Sequence, residues 1–195
     1  MNKFETHMGQ GIGKYIKEEL SRSTNYVKIC TPNISYSLCE ELFQKLNKGL
    51  KIKIIASDII TGEKNSVQAK SLAKKIIQEN KNLNLEYKAI STYDIPLIHA
   101  KIFIIDGKCA VIGSANFTEN SFQNFAEFIL ITRDLELIKT IERDYEEFWT
   151  KIDSHPNQVI NKSLKNTIRD LQKKVHSNYL FQLKYFSIFL NKFLL

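Results

Sequence analysis

Cysteine is scarce in this chain, with three residues, Cys30, Cys39 and Cys109, among 195. An odd, sparse set builds no disulfide framework, and no CxxC pair marks a zinc site. The expectation is an intracellular, reduced protein whose cysteines pack as small hydrophobes. Seven Gly and three Pro are few and leave little room for long flexible linkers. The N-terminus, MNKFETHMGQ, lacks the apolar stretch of a secretory signal, so the expected location is the cytoplasm. No run reaches the roughly 20 mostly apolar residues that span a bilayer. No internal repeat is visible.

What is present is an ordinary globular composition, 43% hydrophobic and 25% charged, long enough for one sizeable core. The formal net charge of +7 is unevenly spread. Residues 151–195 hold eight Lys/Arg against two Asp, whereas the first 150 hold 20 basic against 19 acidic residues. A basic segment of this kind suits a polyanion, either nucleic acid or an anionic membrane surface, unless it is merely a solvated helix face.

Helical and strand patterns alternate along the chain. Residues 10–22 read as a helix, and Tyr26 to Thr31 as a β-branched strand ended by Pro32-Asn33. Ser35 or Ser37 caps a helix to about Asn47. Lys51 to Ala56 and Asn84 to Ala89 are further strands, with a helix from Asn65 to Asn80 between them. Leu97 to Ile105 alternates as a strand, Asp106-Gly107 forms a two-residue hairpin turn, and Cys109 to Gly113 returns beside it. A polar loop over 114–123 follows, then a strand from Phe125 to Thr132. Asp134 caps a helix to about Ile152. The fold class expected is α/β, a mixed β-sheet flanked by helices.

Residues 1–155 would form this domain, and 156–195 a basic and hydrophobic helical extension. In the extension, Ile160, Leu164, Ile168, Leu171 and Val175 make an apolar stripe. The greasier stretch 178–195 is interrupted by Gln182, Lys184 and Lys192. It suits a helix buried against the domain or a dimer partner, with an interfacial membrane helix as the alternative.

The residues that carry chemistry are His99-Ala-Lys101, then Asp106 after four residues, then Gly113-Ser114-Ala-Asn116 after six more. Taken singly, each has a plain structural role: a core or surface His, a surface Lys, a turn Asp, loop polars. Six residue types at fixed spacing arise by chance about once in a million chains of this length, on average residue usage. By contrast, Gly11-Ile-Gly13 follows no predicted strand and reads as a flexible helix start rather than a phosphate loop. On a strand, His99 and Lys101 share one face, which Phe103 and Ile105 continue into the core. The hairpin brings Gly113 to Asn116 beside His99, where a small Gly113 and Ser114 would open backbone N–H groups to a phosphate oxygen.

This pattern, HxK-x4-D-x6-GSxN, resembles the phospholipase D superfamily over residues 10–150. That family includes phospholipases, small endonucleases, nuclease domains of some restriction enzymes and phosphatidyl transferases. The resemblance implies a phospholipase D-like sandwich and a metal-independent phosphodiesterase that needs no cofactor. It also implies a homodimer, since two motifs build one site and this chain holds one. His99 would be the nucleophile, and His99 of the second copy the acid and base. Lys101 and Asn116 would bind phosphoryl oxygens, and Ser114 would bind or orient. Asp106 would brace the hairpin or the histidine. Glu127, eleven positions after Asn116, stands where relatives carry a Glu that hydrogen-bonds the histidine. Phe125 stands where many carry Asn. The leading expectation is an endonuclease or nucleic-acid phosphodiesterase. The alternatives are a lipid hydrolase of the phospholipase D or cardiolipin type, and a non-catalytic nucleic-acid-binding module.

Overall fold

A computed structural model describes residues 3–57, 84–90 and 98–154, together with residues 75, 78 and 79. The helix expected over 65–80, apart from those isolated positions, and the extension 156–195 lie outside the described residues. Met1–Ile152 form one compact unit.

Seven strands make one mixed sheet. They are β1 (Phe4–Gly9), β2 (Tyr26–Thr31), β3 (Lys51–Ser57), β4 (Leu85–Ile90), β5 (Ile102–Ile105), β6 (Cys109–Gly113) and β7 (Glu127–Thr132). Their order across the sheet is β1-β7-β6-β5-β2-β3-β4. The β2–β3 and β3–β4 pairs are parallel, and the remaining pairs are antiparallel. The helices are α1 (Gly13–Ser21), α2 (Tyr36–Phe43) and α3 (Leu135–Ser154).

The alternation of side chains divides the core between the two faces of the sheet. Phe103 and Ile105 join Val27, Ile29, Ile54 and Ile131 in the cluster that includes Ile16 of α1 and Leu38 of α2. Ile104 joins Cys30, Ile55 and Ala110 in the cluster beneath α3, with Ile138, Tyr145 and Trp149. Both faces of the central strands are therefore covered, which is why they read as near-continuous apolar runs. All three thiols are buried, and desolvation pushes Cys30 up to about 11 and Cys39 up to about 12.

Ion pairs and ring contacts hold α3 to the sheet. Lys28 pairs with Glu142, and with Glu146 at 2.8 Å. Lys53 reaches the same Glu146 at 2.8 Å and lies over the Trp149 ring. Asp134 caps the helix as expected, accepting from Glu136 N at 3.1 Å and Leu137 N at 3.2 Å.

Several boundaries differ from those read in the sequence. β1 was not anticipated, because Phe4–Gly9 is largely polar and mostly exposed, and it is held as a strand by pairing with β7. The expected helix over 36–47 stops at Phe43, and a separate 3₁₀ turn covers Leu46–Lys48 before Gly49 in a left-handed conformation. The loop 114–123 is less polar in space than in sequence. Ala115, Phe117 and Phe122 are buried there, and Asn120–Asn124 winds as a π-helical turn. Phe125 lies outside β7, which starts at Glu127.

Candidate active site

Regular strand structure in β5 begins only at Ile102, so the expected strand from Leu97 is corrected: Ile98 to Lys101 precede the ladder. The reason lies in the partners. β6 ends at Gly113, whose N–H reaches the Lys101 carbonyl at 3.3 Å, and β2 pairs no further along than Ile102. His99 is thus held at a strand end with its side chain exposed. Two residues on, Lys101 is 6% exposed. Its ammonium turns back to donate to the His99 carbonyl at 2.7 Å. Burial holds Lys101 below the usual lysine value, against the opposing pull of the Glu127 carboxylate and of Cys30.

The turn that folds β6 back takes three residues, not two. Asp106 and Gly107 both have positive φ, 53° and 64°, and Lys108 N donates to Ile105 O at 3.0 Å. The register then pairs Ile105 with Cys109, leaving Lys108 as an extra residue. Asp106 tolerates its left-handed backbone because its carboxylate is tied down. One oxygen accepts from Asn25 N and Tyr26 N, each at 2.8 Å. The other accepts from Thr24 N at 2.9 Å and Thr24 Oγ1 at 3.0 Å. Asp106 therefore braces the hairpin onto the start of β2, at the opposite end of β5 from His99. Burial opposes its ionisation, but the three backbone N–H donors and the Thr24 hydroxyl outweigh it and lower its pKa.

Asp106→Asn is expected to cost about 2 kcal/mol in stability, because it weakens a charge-assisted set of bonds. A carboxylate with a depressed folded-state pKa contributes fully above the unfolded value near 4 and loses its contribution as pH falls through the folded value. Thermal melts of both proteins should therefore differ most at neutral pH and converge in acid.

Beyond β6 the chain is bound on both sides. Ser114 N donates to Phe128 O at 2.9 Å, and Phe128 N donates to Ser114 Oγ at 3.0 Å. The Ser114 hydroxyl donates in turn to Glu127. These bonds correct the expectation that Gly113 and Ser114 open their N–H groups to phosphate, since both are consumed within the sheet. The small size of Gly113 serves packing instead: a Cβ there would sit 2.0 Å from the Phe128 carbonyl oxygen.

Asn116 is half-buried, and its Oδ1 lies 3.4 Å from Thr31 Oγ1. Thr31 is fully buried and accepts from Phe117 N at 3.3 Å, so the end of β2 positions the loop that carries Asn116. Ser35 N adds a bond to Phe117 O at 2.9 Å. Nothing in the sequence singles out Thr31, since a Thr at a strand end before Pro32 is unremarkable.

Five of the six expected residues, His99, Lys101, Ser114, Asn116 and Glu127, thus lie at one end of the sheet, and Asp106 lies at the other. Among the described residues, no hydrogen bond joins Glu127 to the His99 ring within one copy. None of these residues forms a group of three His, Cys, Asp or Glu side chains placed to hold a metal ion, and no described helix is long and apolar enough to cross a membrane.

Comparison with known proteins adds the family. Residues 16–149 match the family described as "Cardiolipin synthase, PLD-like domain". A probable cardiolipin synthase, YwiE, of Bacillus subtilis (strain 168) is 28% identical over 141 residues, which is 72% of this chain and 27% of that protein. A mitochondrial cardiolipin hydrolase of Xenopus laevis is 36% identical over 56 residues, 29% of this chain and 27% of that protein. The chain thus spans about a quarter of the length of these relatives. Among solved structures, Nuc of Salmonella typhimurium, a phospholipase D family member, superposes with a TM-score of 0.61 at 15% identity, over 75% of this chain and 95% of its own. NucT of Helicobacter pylori gives 0.57 at 21% identity, over 74% and 94%. At these identities the likeness is one of fold. With the spaced motif, apart from its Asp106, gathered at one end of a mixed sheet and the family match covering most of that sheet, the chain belongs to the phospholipase D-like domain family.

Proposed function

We propose that the protein is a metal-independent phosphodiesterase that forms a phosphohistidine at His99, works as a homodimer with a shared site, and acts on nucleic acid. The observation that carries the reading is the convergence of an exposed imidazole with the buried Lys101 and half-buried Asn116 at the end of β5 and β6. A neutral imidazole suits attack on an anionic phosphodiester. The P–N bond forms as the P–O bond to the leaving group breaks. His99 of a second copy protonates the departing oxygen and then takes a proton from water, which attacks phosphorus and releases the first His99. Two displacements replace one harder step. A positioned acid contributes about 10²- to 10⁴-fold. Lys101 and the Asn116 amide supply donors where charge spreads over the phosphoryl oxygens. Ser114 holds Glu127, and the Glu127 charge favours the protonated Lys101.

Nucleic acid is favoured by the basic excess in residues 151–195, which the near-neutral first 150 residues do not share. Residues 156–195 would then be a polyanion-binding extension. A lipid phosphodiester is the second reading, favoured by the cardiolipin synthase and hydrolase named among the relatives. Incubation in EDTA with single-stranded DNA, plasmid DNA and cardiolipin vesicles separates the two. Expected is DNA cleavage that persists in EDTA and falls steeply with salt. Cleavage of lipid alone would reassign the substrate. Cleavage of none of the three would remove the enzymatic reading.

A further inference from the structure

Thr31 is the last residue of β2 and is completely buried. Its hydroxyl meets three groups. It accepts from Phe117 N at 3.3 Å, donates to Asn33 O at 3.1 Å and lies 3.4 Å from Asn116 Oδ1. A hydroxyl carries one proton, so the two carbonyl oxygens compete for it. The frame around this hydroxyl is tied on every side. Thr31 pairs with Ala56 of β3, Pro32 O accepts from Ser57 N at 3.2 Å, and Ile34 bridges to Phe117. The β-branched side chain adds a stiff χ1, so Oγ1 is fixed as well. The Asn116 amide is planar, and its Oδ1 is turned towards Thr31. Nδ2 is on the other branch, and no group among the described residues accepts from it. Its protons are therefore free for a ligand.

We propose that Thr31 is a positioning residue for phosphodiester cleavage: it holds the Asn116 amide by its oxygen so that Nδ2 meets the phosphoryl group, and its hydrogen bond passes from Asn33 O to Asn116 Oδ1 as the transition state forms. The proposal rests on the phosphodiesterase reading above. Without substrate, Asn33 O is the nearer acceptor. Negative charge growing on the phosphoryl oxygens draws on the Nδ2 protons and polarises the amide. Oδ1 then becomes the better acceptor, because hydrogen bonds in a chain strengthen one another, most of all where water is excluded. The bond from Thr31 is thus made chiefly in the transition state, where it raises kcat rather than tightening substrate binding. The proton stays on Oγ1 throughout, and only its acceptor changes.

The test is steady-state kinetics of the full chain on bis(4-nitrophenyl) phosphate, whose good leaving group keeps slow variants measurable, repeated on whichever of DNA or cardiolipin the wild type cleaves. Thr31→Val keeps the shape and loses the hydroxyl. It should lower kcat about tenfold, the worth of one hydrogen bond, with KM nearly unchanged. Thr31→Ser should stay within about threefold of wild type, because the hydroxyl remains and only the stiffness is lost. Ser37→Ala breaks the bond from α2 to Glu119, which ties down the same loop away from Asn116, and should leave kcat unchanged. In an Asn116→Ala background, Thr31→Val should have no further effect on kcat, since a residue that acts through another is not additive with it. Wild-type kcat in Thr31→Val, or the same loss with and without Asn116, overturns the proposal while the phosphodiesterase reading stands. A wild type inert towards the probe, DNA and cardiolipin overturns both. A second measurement, on wild type alone, decides the matter even where Thr31→Val does not fold. In proton NMR with saturating inorganic phosphate, the buried Thr31 hydroxyl proton and the Asn116 Nδ2 protons should shift together. A shift at Asn116 without one at Thr31, or at neither, overturns the proposal.

Discussion

His99→Ala is expected to lower kcat by at least about 10⁴-fold while leaving the melting temperature within a degree or two of wild type. The magnitude follows from the two roles proposed for one residue. In a homodimer the substitution removes the nucleophile from one copy and the acid and base from the other, and groups acting as a unit fail together. The fold should be indifferent, because the ring is exposed and makes no hydrogen bond to another described residue. Heterodimers of wild type and His99→Ala, purified with two different tags, carry the sharper prediction. They should show the activity of the homodimeric variant. Half the wild-type activity would mean that each copy has its own site. A rate limited by one neutral and one protonated imidazole also gives a bell-shaped pH profile, whereas a flat one from about pH 4 to 9 would remove the two-histidine scheme.

Gly113→Ala is expected to cost about 3 kcal/mol and to remove activity in whatever protein still folds. The added Cβ would lie 2.0 Å from Phe128 O and 2.9 Å from Ile129 Cα. Both are backbone atoms inside the β6–β7 ladder, so no side chain can swing aside and the strands must separate. Separation breaks the bonds that tie Ser114 to Phe128 and Glu127, and it releases the loop that carries Asn116. Urea denaturation measures the first effect, and kcat at a temperature where the variant is folded measures the second. A variant as stable and as active as wild type would show that β7 does not press on β6 as described.

Alternation and turn chemistry are local, and they were legible along much of this chain. Val27, Ile29, Phe103 and Ile105 lie in one core cluster and Cys30 and Ile104 in the other, as period-two patterning requires. Asp134 announced α3, and Asp106-Gly107 announced the hairpin. β1 was not legible, because an edge strand with a polar sequence is stabilised by its neighbour and not by its own pattern. Lys108 was not legible as an extra residue either, since register is decided between two strands.

The site divides in the same way. The sequence by itself determined the six residues of the motif, their spacing, the family that spacing matches, and that the motif occurs once in the chain. It could do so because reaction chemistry demands particular groups, and fixed spacing survives in a string of letters. Only the tertiary structure decided how each residue is held. Asp106 is a brace at the far end of the sheet, Gly113 is small so that β7 can approach, and the Gly113 and Ser114 N–H groups belong to the sheet rather than to a phosphate. The buried Thr31, 85 positions from Asn116, steadies the loop that carries it. The pairing of Met8 with Phe128 came from space as well, because they are 120 residues apart and become neighbours only through the register of two paired strands.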